Sequence, residues 1–135
     1  MALITWNQGL SVNVKEIDEE HKVLINLINE LHDAMMKGKS KDVIENIINE
    51  LVTYTKKHFS TEEKYFKQYE YPDEKSHINQ HNLFVEKVKD FQEKHTTGGA
   101  FLSIEIMEFL KDWLTNHIIG TDKKYTDFFN SKGLI

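Results

Sequence analysis

Seven histidines in a chain of 135 residues are the feature that could do chemistry, and five of them fall in register. His77 and His81 stand four apart. Four residues of an α-helix turn about 400°, so the two rings share a face about 6 Å apart and can chelate one cation. His58 and Glu62 repeat that separation earlier in the chain. His21 leads into Leu24, Ile25 and Ile28, and His117 follows Trp113 and Leu114. Asp122 lies a further five residues on. Polar groups on a core-facing stripe must be satisfied, and a metal ion satisfies them well. A single histidine on a helix is more often a surface or satisfied core residue. The shared spacing separates these five from that default; His32 and His95 do not share it and read as structural or surface residues.

Five imidazoles and two carboxylates are more than one ion can use, but two ions can use them if the carboxylates bridge. The chain has no cysteine, which removes disulfides, thiolate zinc sites, iron–sulfur clusters and cysteine nucleophiles together. Nitrogen-rich ligation without thiolate suits iron and, less specifically, zinc, copper or manganese.

The elements that must position these groups are long helices. The one proline is Pro72, and the six glycines, at 9, 38, 98, 99, 120 and 133, leave long segments between them. The first helix is expected from Asp18, read as its N-cap, to Lys37-Gly38. The second runs from Ser40 to Tyr71-Pro72, where the residue before proline leaves the helical region. The third spans Asp73 to Thr96 and breaks at Thr97-Gly98-Gly99. The fourth spans Phe101 to Ile119. Gly120 can take a left-handed or irregular backbone, so this helix is expected to end or distort near Ile119-Gly120 and bring Asp122 back toward the core. The spacing of apolar residues predicts an all-α, up-down-up-down antiparallel four-helix bundle. An extended N-terminal arm over residues 1–16, with Trp6, Val12 and Val14 to pack, and a short C-terminal helix from Lys123 to Asn130 complete it. In such a bundle the starts of helices one and three share an end with the finishes of helices two and four. All seven candidate ligands fall at that end.

Composition limits the partners. The net charge is −5, and all 17 basic residues are lysine. A nucleic-acid binder would want a basic face and arginine's bidentate fork. No apolar run reaches the roughly 20 residues of a membrane span. The start has neither the charged region nor the apolar run of a signal peptide, so a cytoplasmic protein is expected. The length fits one domain over 1–135, as a monomer or weak oligomer.

The series His21, His58-x3-Glu62, His77-x3-His81, His117-x4-Asp122 resembles the hemerythrin signature, most of all that of the single-domain bacterial members, and the likeness covers nearly the whole chain. It implies two non-heme irons. His77, His81 and His117 would bind one and His21 and His58 the other, with Glu62, Asp122 and an oxo or hydroxo group as bridges. It further implies reversible dioxygen binding at the open position of the two-histidine iron, rather than enzymatic turnover. An apolar oxygen pocket would be formed by Leu24, Phe59, Trp113, Leu114 and Ile118, with Tyr125 near the bridge. A dry pocket slows proton delivery and favours release of intact oxygen.

Three other readings compete. A ferritin-like di-iron oxidase would use two Glu-x-x-His motifs and two further glutamates; here only Glu74-x-x-His77 matches, with Asp18-x-x-His21 as an echo. Oxygen or redox sensing, or iron and nitric oxide handling, would use the same site. Storage, transport or delivery of oxygen to an oxygen-consuming enzyme is the simpler use of a single domain. A metal-free interaction bundle would leave five inward imidazoles without partners.

Overall fold

The computed structural model describes residues 3–96 and 102–135, with the side chains of 41, 94–96 and 102–105 outside that description. Four long helices, α1 (Lys15–Met36), α2 (Lys41–Tyr69), α3 (Glu74–Thr96) and α4 (Leu102–Gly120), are followed by a short α5 (Thr126–Ser131). The first packs against the second and fourth, and the third against the second and fourth, which closes the antiparallel bundle. No strand occurs among the described residues. The expected break at Thr97-Gly98-Gly99 and the start at Phe101 lie outside them.

Helix α2 begins as the sequence predicts: the Ser40 hydroxyl accepts a hydrogen bond from the Val43 N–H at 3.3 Å. It ends where Glu70 turns left-handed at φ 56, ahead of Pro72. Helix α1 differs from expectation. It begins three residues before Asp18, behind Val14. Asp18 is therefore not the cap. Its carboxylate reaches back out of the first turn to accept from the Val12 N–H at 2.8 Å and the Ser11 hydroxyl at 2.6 Å. The same carboxylate that suits a helix start by its charge thus ties down the arm.

That arm is only partly extended, interrupted by a 3-10 turn at Gln8–Leu10 and a left-handed Asn13 at φ 55. Ile4, Leu10, Val12 and Val14 are buried. Asn29 of α1 holds it by a reciprocal pair with the Ile4 backbone, at 2.9 and 2.8 Å. At its other end the Thr126 hydroxyl donates to the Val12 carbonyl at 2.8 Å. Arm and C-terminal segment thereby close one end of the bundle together. Phe66, Tyr71, Tyr125 and Phe129 form an aromatic cap there, with Phe66–Tyr71 and Tyr125–Phe129 centroids at 5.1 and 4.7 Å.

Helix α4 ends at Gly120, as the sequence suggested, but without a left-handed glycine. Among the described residues the glycines with positive φ are Gly38 and Gly133, not Gly120. A Cβ built on Gly120 would meet nothing within 4 Å. The chain instead winds more tightly after α4, as a 3-10 helix over Asp122–Tyr125. The Thr121 N–H still donates to the His117 carbonyl at 2.8 Å, which leads α4 directly into that turn. Thr121, at φ −112 and ψ −53, departs from the regular helical turn between them, and Asp122 is fully buried beyond it. Gly120→Ala is accordingly expected to keep the fold and gain up to about 1 kcal/mol from lower unfolded-state entropy. Denaturant unfolding measures this, and a loss of that size would mean that Gly120 supplies a backbone freedom after all.

Candidate metal centre

All four long helices deliver side chains to one buried layer. His21 comes from the first turns of α1, His58 and Glu62 from the end of α2, His77 and His81 from the start of α3, and His117 from the end of α4. Asp122 enters from the 3-10 turn. His21, Glu62, His81 and Asp122 are fully buried, and the other three are nearly so. The structure thus brings together every residue singled out as a candidate ligand.

Asp122 is the hub of the layer. Its Oδ1 lies 2.8 Å from His77 Nε2 and 2.9 Å from His117 Nε2, while Oδ2 lies 3.1 Å from His21 Nε2. Glu62 Oε1 lies 3.1 Å from His58 Nε2 and 3.3 Å from His81 Nε2. Its other oxygen accepts from the Tyr125 hydroxyl at 2.5 Å. Two overlapping groups of ligand atoms result. One is Glu62, His77, His81, His117 and Asp122; the other is His21, His58, Glu62 and Asp122. Both carboxylates belong to both groups.

The fit of this donor set to a cation rests on polar atoms with nothing else to bond. Nε2 of His21, His77, His81 and His117, Oε1 of Glu62 and both oxygens of Asp122 are buried without hydrogen-bond partners. Leaving so many orphaned polar atoms in one core layer is costly, and a cation held among them removes the cost.

Three of the five outward-facing ring nitrogens are held separately, while His21 Nδ1 is buried without a partner. His58 Nδ1 pairs with Glu20 at 2.8 Å, His81 Nδ1 with Glu63 at 3.1 Å, and His117 Nδ1 with Gln80 at 3.0 Å. Thr61 and Thr121 donate in turn to Glu20 and Gln80, at 3.0 and 3.1 Å. Such partners fix the ring and its tautomer, leaving Nε2 free for a cation. Sequence reasoning missed all of them, although a signal was present. Each holding residue is adjacent in sequence to an inward residue: Glu20 to His21, Glu63 to Glu62, Gln80 to His81. One step along a helix turns the side chain about 100°, toward the next helix. Each thus serves the histidine of the following helix, α1 to α2, α2 to α3 and α3 to α4.

Aromatic rings cover the layer. Phe59 stacks on His81 at 3.7 Å and Trp113 on His117 at 4.2 Å. One turn inward is a closed cavity of about 10 Å³, bordered by His21, His58 and His117 and by Leu24, Phe59, Trp113 and Leu114 of the expected pocket. Ile118 is fully buried but does not line it. The cavity lies on the His117 side facing the bundle centre, and Ile118 has already passed His117 toward the bundle end. Asp122 also borders it, and Ile28, Leu51, Thr55 and Phe84, which were not foreseen, complete the wall.

The remaining candidates stay apart. His32 is half-buried in a groove with Leu3, Met35 and Met107, and belongs to neither ligand group. The side chain of His95 lies outside the described residues. Asp18 holds the arm, and Glu74 opens α3 outside both groups, so neither supplies the extra carboxylate of a ferritin-like centre.

A four-helix bundle with a buried imidazole–carboxylate layer able to bind metal defines a class of cation-binding proteins. The model of the hemerythrin HHE cation binding domain matches residues 12–128, and the chain belongs to the hemerythrin family. It is 35% identical over 127 residues to a bacteriohemerythrin of Pseudomonas aeruginosa, covering 94% of this chain and 82% of the relative. It is 32% identical over 126 residues to that of Methylococcus capsulatus, covering 93% and 95%. A crystal structure of wild-type hemerythrin superposes with a TM-score of 0.83 at 30% identity, over 93% of this chain and 97% of that one. No helix among the described residues is long and apolar enough to cross a membrane.

Charge within the layer sets a pH dependence. Burial pushes His58 down, but the Glu62 charge and the bonds to Glu20 and Glu62 outweigh it and raise its pKa to about 10. Burial and the mutual repulsion of the carboxylates push Glu62 up, yet His58 and His81 hold it below the usual carboxylate range. For Asp122, burial is likewise outweighed by His117, His21 and His77. In the metal-free chain a charged His58 therefore stabilises the fold fully below its ordinary 6.5, and that contribution is lost as the pH rises toward about 10. The carboxylates contribute above their ordinary 4.5 and 3.8 and cease to as the pH falls through their depressed values. Metal-loaded protein, its imidazoles kept neutral by ligation, should lose much less stability on the alkaline side. Tm measured across pH in both forms checks this; parallel curves would contradict it.

Proposed function

We propose that the chain binds dioxygen reversibly at a non-heme di-iron centre. His77, His81 and His117 would hold one iron and His21 and His58 the other, with Glu62 and Asp122 shared between the two groups. The observation that carries this reading is the inequality of the two ligand groups, three imidazoles against two around shared carboxylates, with a small apolar cavity beside the poorer group. Family membership and the relatives' name, bacteriohemerythrin, support it. When bound, the irons supply an open coordination position and the electrons that dioxygen binding requires.

The chain's own residues do the rest. Glu20, Glu63 and Gln80 keep three rings turned so that Nε2 faces inward. Leu24, Phe59, Trp113 and Leu114 keep water and protons from the open side, which favours release of intact oxygen over oxidation of the centre. Tyr125 donates to Glu62 and holds that carboxylate in its bridging orientation. Its own proton is firmly retained, because burial and the Asp122 and Glu62 charges raise its pKa far above the ordinary value. Storage of oxygen, or its delivery to an oxygen-consuming enzyme, is the use we propose.

The test is an optical spectrum of iron-quantified protein, reduced without air, exposed to oxygen and then degassed. Two irons per chain and a visible band that appears with oxygen and fades under vacuum are expected. Irreversible conversion to a ferric form would overturn reversible binding. His77→Ala and His117→Ala are expected to abolish loading of two irons, while His32→Ala leaves it near the wild-type level; equal losses would refute the ligand set. A polar replacement, Leu114→Asn, should speed irreversible oxidation several-fold, and an unchanged rate would remove Leu114 from the oxygen side.

A further inference from the structure

The cavity beside the two-histidine group is apolar but for one side chain that is not a candidate ligand. Thr55 lines it, is 3% exposed, and has a hydroxyl oxygen enclosed with no hydrogen-bond partner. It shares the inner stripe of α2 with Leu51 and His58, at spacings of four and three residues. A threonine in a helix ordinarily satisfies its hydroxyl on the carbonyl four residues back. Thr61, in the same helix, does this with the Lys57 carbonyl at 3.3 Å. Thr55 does not. Valine would fill the same space without leaving a buried hydroxyl unpaired, so the hydroxyl is a cost to the fold unless something in the cavity bonds to it. The cavity, at about 10 Å³, admits one very small guest.

We infer that the Thr55 hydroxyl donates a hydrogen bond to the guest of this cavity, a very small ligand, or the end of one reaching in from the metal layer, with an acceptor lone pair, such as dioxygen or a linear anion. The inference rests on the di-iron reading above. Thr55 is then an affinity-setting group in a cavity whose other walls are apolar side chains and the candidate ligands. Shape admits any guest of this size, and the Thr55 donor favours those that can accept.

Azide serves as the probe, titrated by absorbance into oxidised, iron-loaded wild-type, Thr55→Val and Thr55→Ser proteins. The valine variant is expected to bind azide about 5- to 15-fold more weakly, the worth of one buried hydrogen bond. The serine variant, which keeps the donor, should stay within about twofold of wild type by the same reasoning. Azide affinity unchanged or tightened in Thr55→Val overturns the assignment; tightening would mean that the hydroxyl holds a water that the guest displaces. Iron-free protein gives a second readout. Thr55→Val should unfold at the same or a higher denaturant concentration, because an orphaned hydroxyl is gone, and clear destabilisation would reveal a structural partner and overturn the inference. Failure of the wild-type chain to load iron would overturn the di-iron reading together with it. Normal loading with unchanged azide affinity overturns the Thr55 assignment alone.

Discussion

Asp122 carries two carboxylate oxygens into the core and meets three imidazoles there, each from a different helix. A lone buried carboxylate would be among the costliest groups a bundle could enclose. Surrounded by His21, His77 and His117, it instead holds α1, α3 and α4 at one end to within the length of a hydrogen bond. Glu62 does the same for α2 and α3 through His58 and His81. The helices therefore cannot slide along one another at this end without breaking several charge-assisted contacts at once. Their register is set here, and the apolar stripes farther along fill in around it.

Such a layer has to be enclosed by groups that offer no competing hydrogen bonds and admit no water. On the terminal side, the aromatic cap of Phe66, Tyr71, Tyr125 and Phe129 does this, held shut by the arm through Asp18 and Thr126. On the central side, Phe59 and Trp113 lie flat against two of the rings, and Leu24, Leu51 and Leu114 follow. The two sides differ in one respect that matters for chemistry. The terminal side is packed and supplies a hydroxyl already committed to Glu62, whereas the central side keeps a small cavity and a hydroxyl without a partner.

The residues that hold the outer ring nitrogens form a sequence around the bundle, with α1, α2 and α3 each steadying a ring on the next helix. This follows from geometry. An inward side chain has sequence neighbours turned about 100° to either side, and in an antiparallel ring of helices one of those neighbours faces the following helix. The neighbour used precedes the inward residue on α1 and α3 and follows it on α2, as the alternating chain direction requires. Polar residues beside the ligands thus belong to the site although they face away from its centre.

Much of this was present in the sequence because helical periodicity is local. The spacing of His58 and Glu62, and of His77 and His81, fixes a shared face whatever the surroundings, and Ser40 and Pro72 mark helix ends by backbone chemistry that needs no tertiary partner. Chain order then aligns the four sets at one end. What sequence could not decide depended on contacts between distant segments. Asp18 looks like a cap until the arm's Val12 N–H arrives to claim it. Gly120 marks the end of α4 as expected, but the backbone departs from helical geometry at Thr121 and no left-handed glycine is used. Ile118 shares the apolar run of α4, but which side of the ligand layer holds the void is set by how four helices converge, as is the isolation of the Thr55 hydroxyl. Periodicity tells which way a side chain points; only packing decides what it meets.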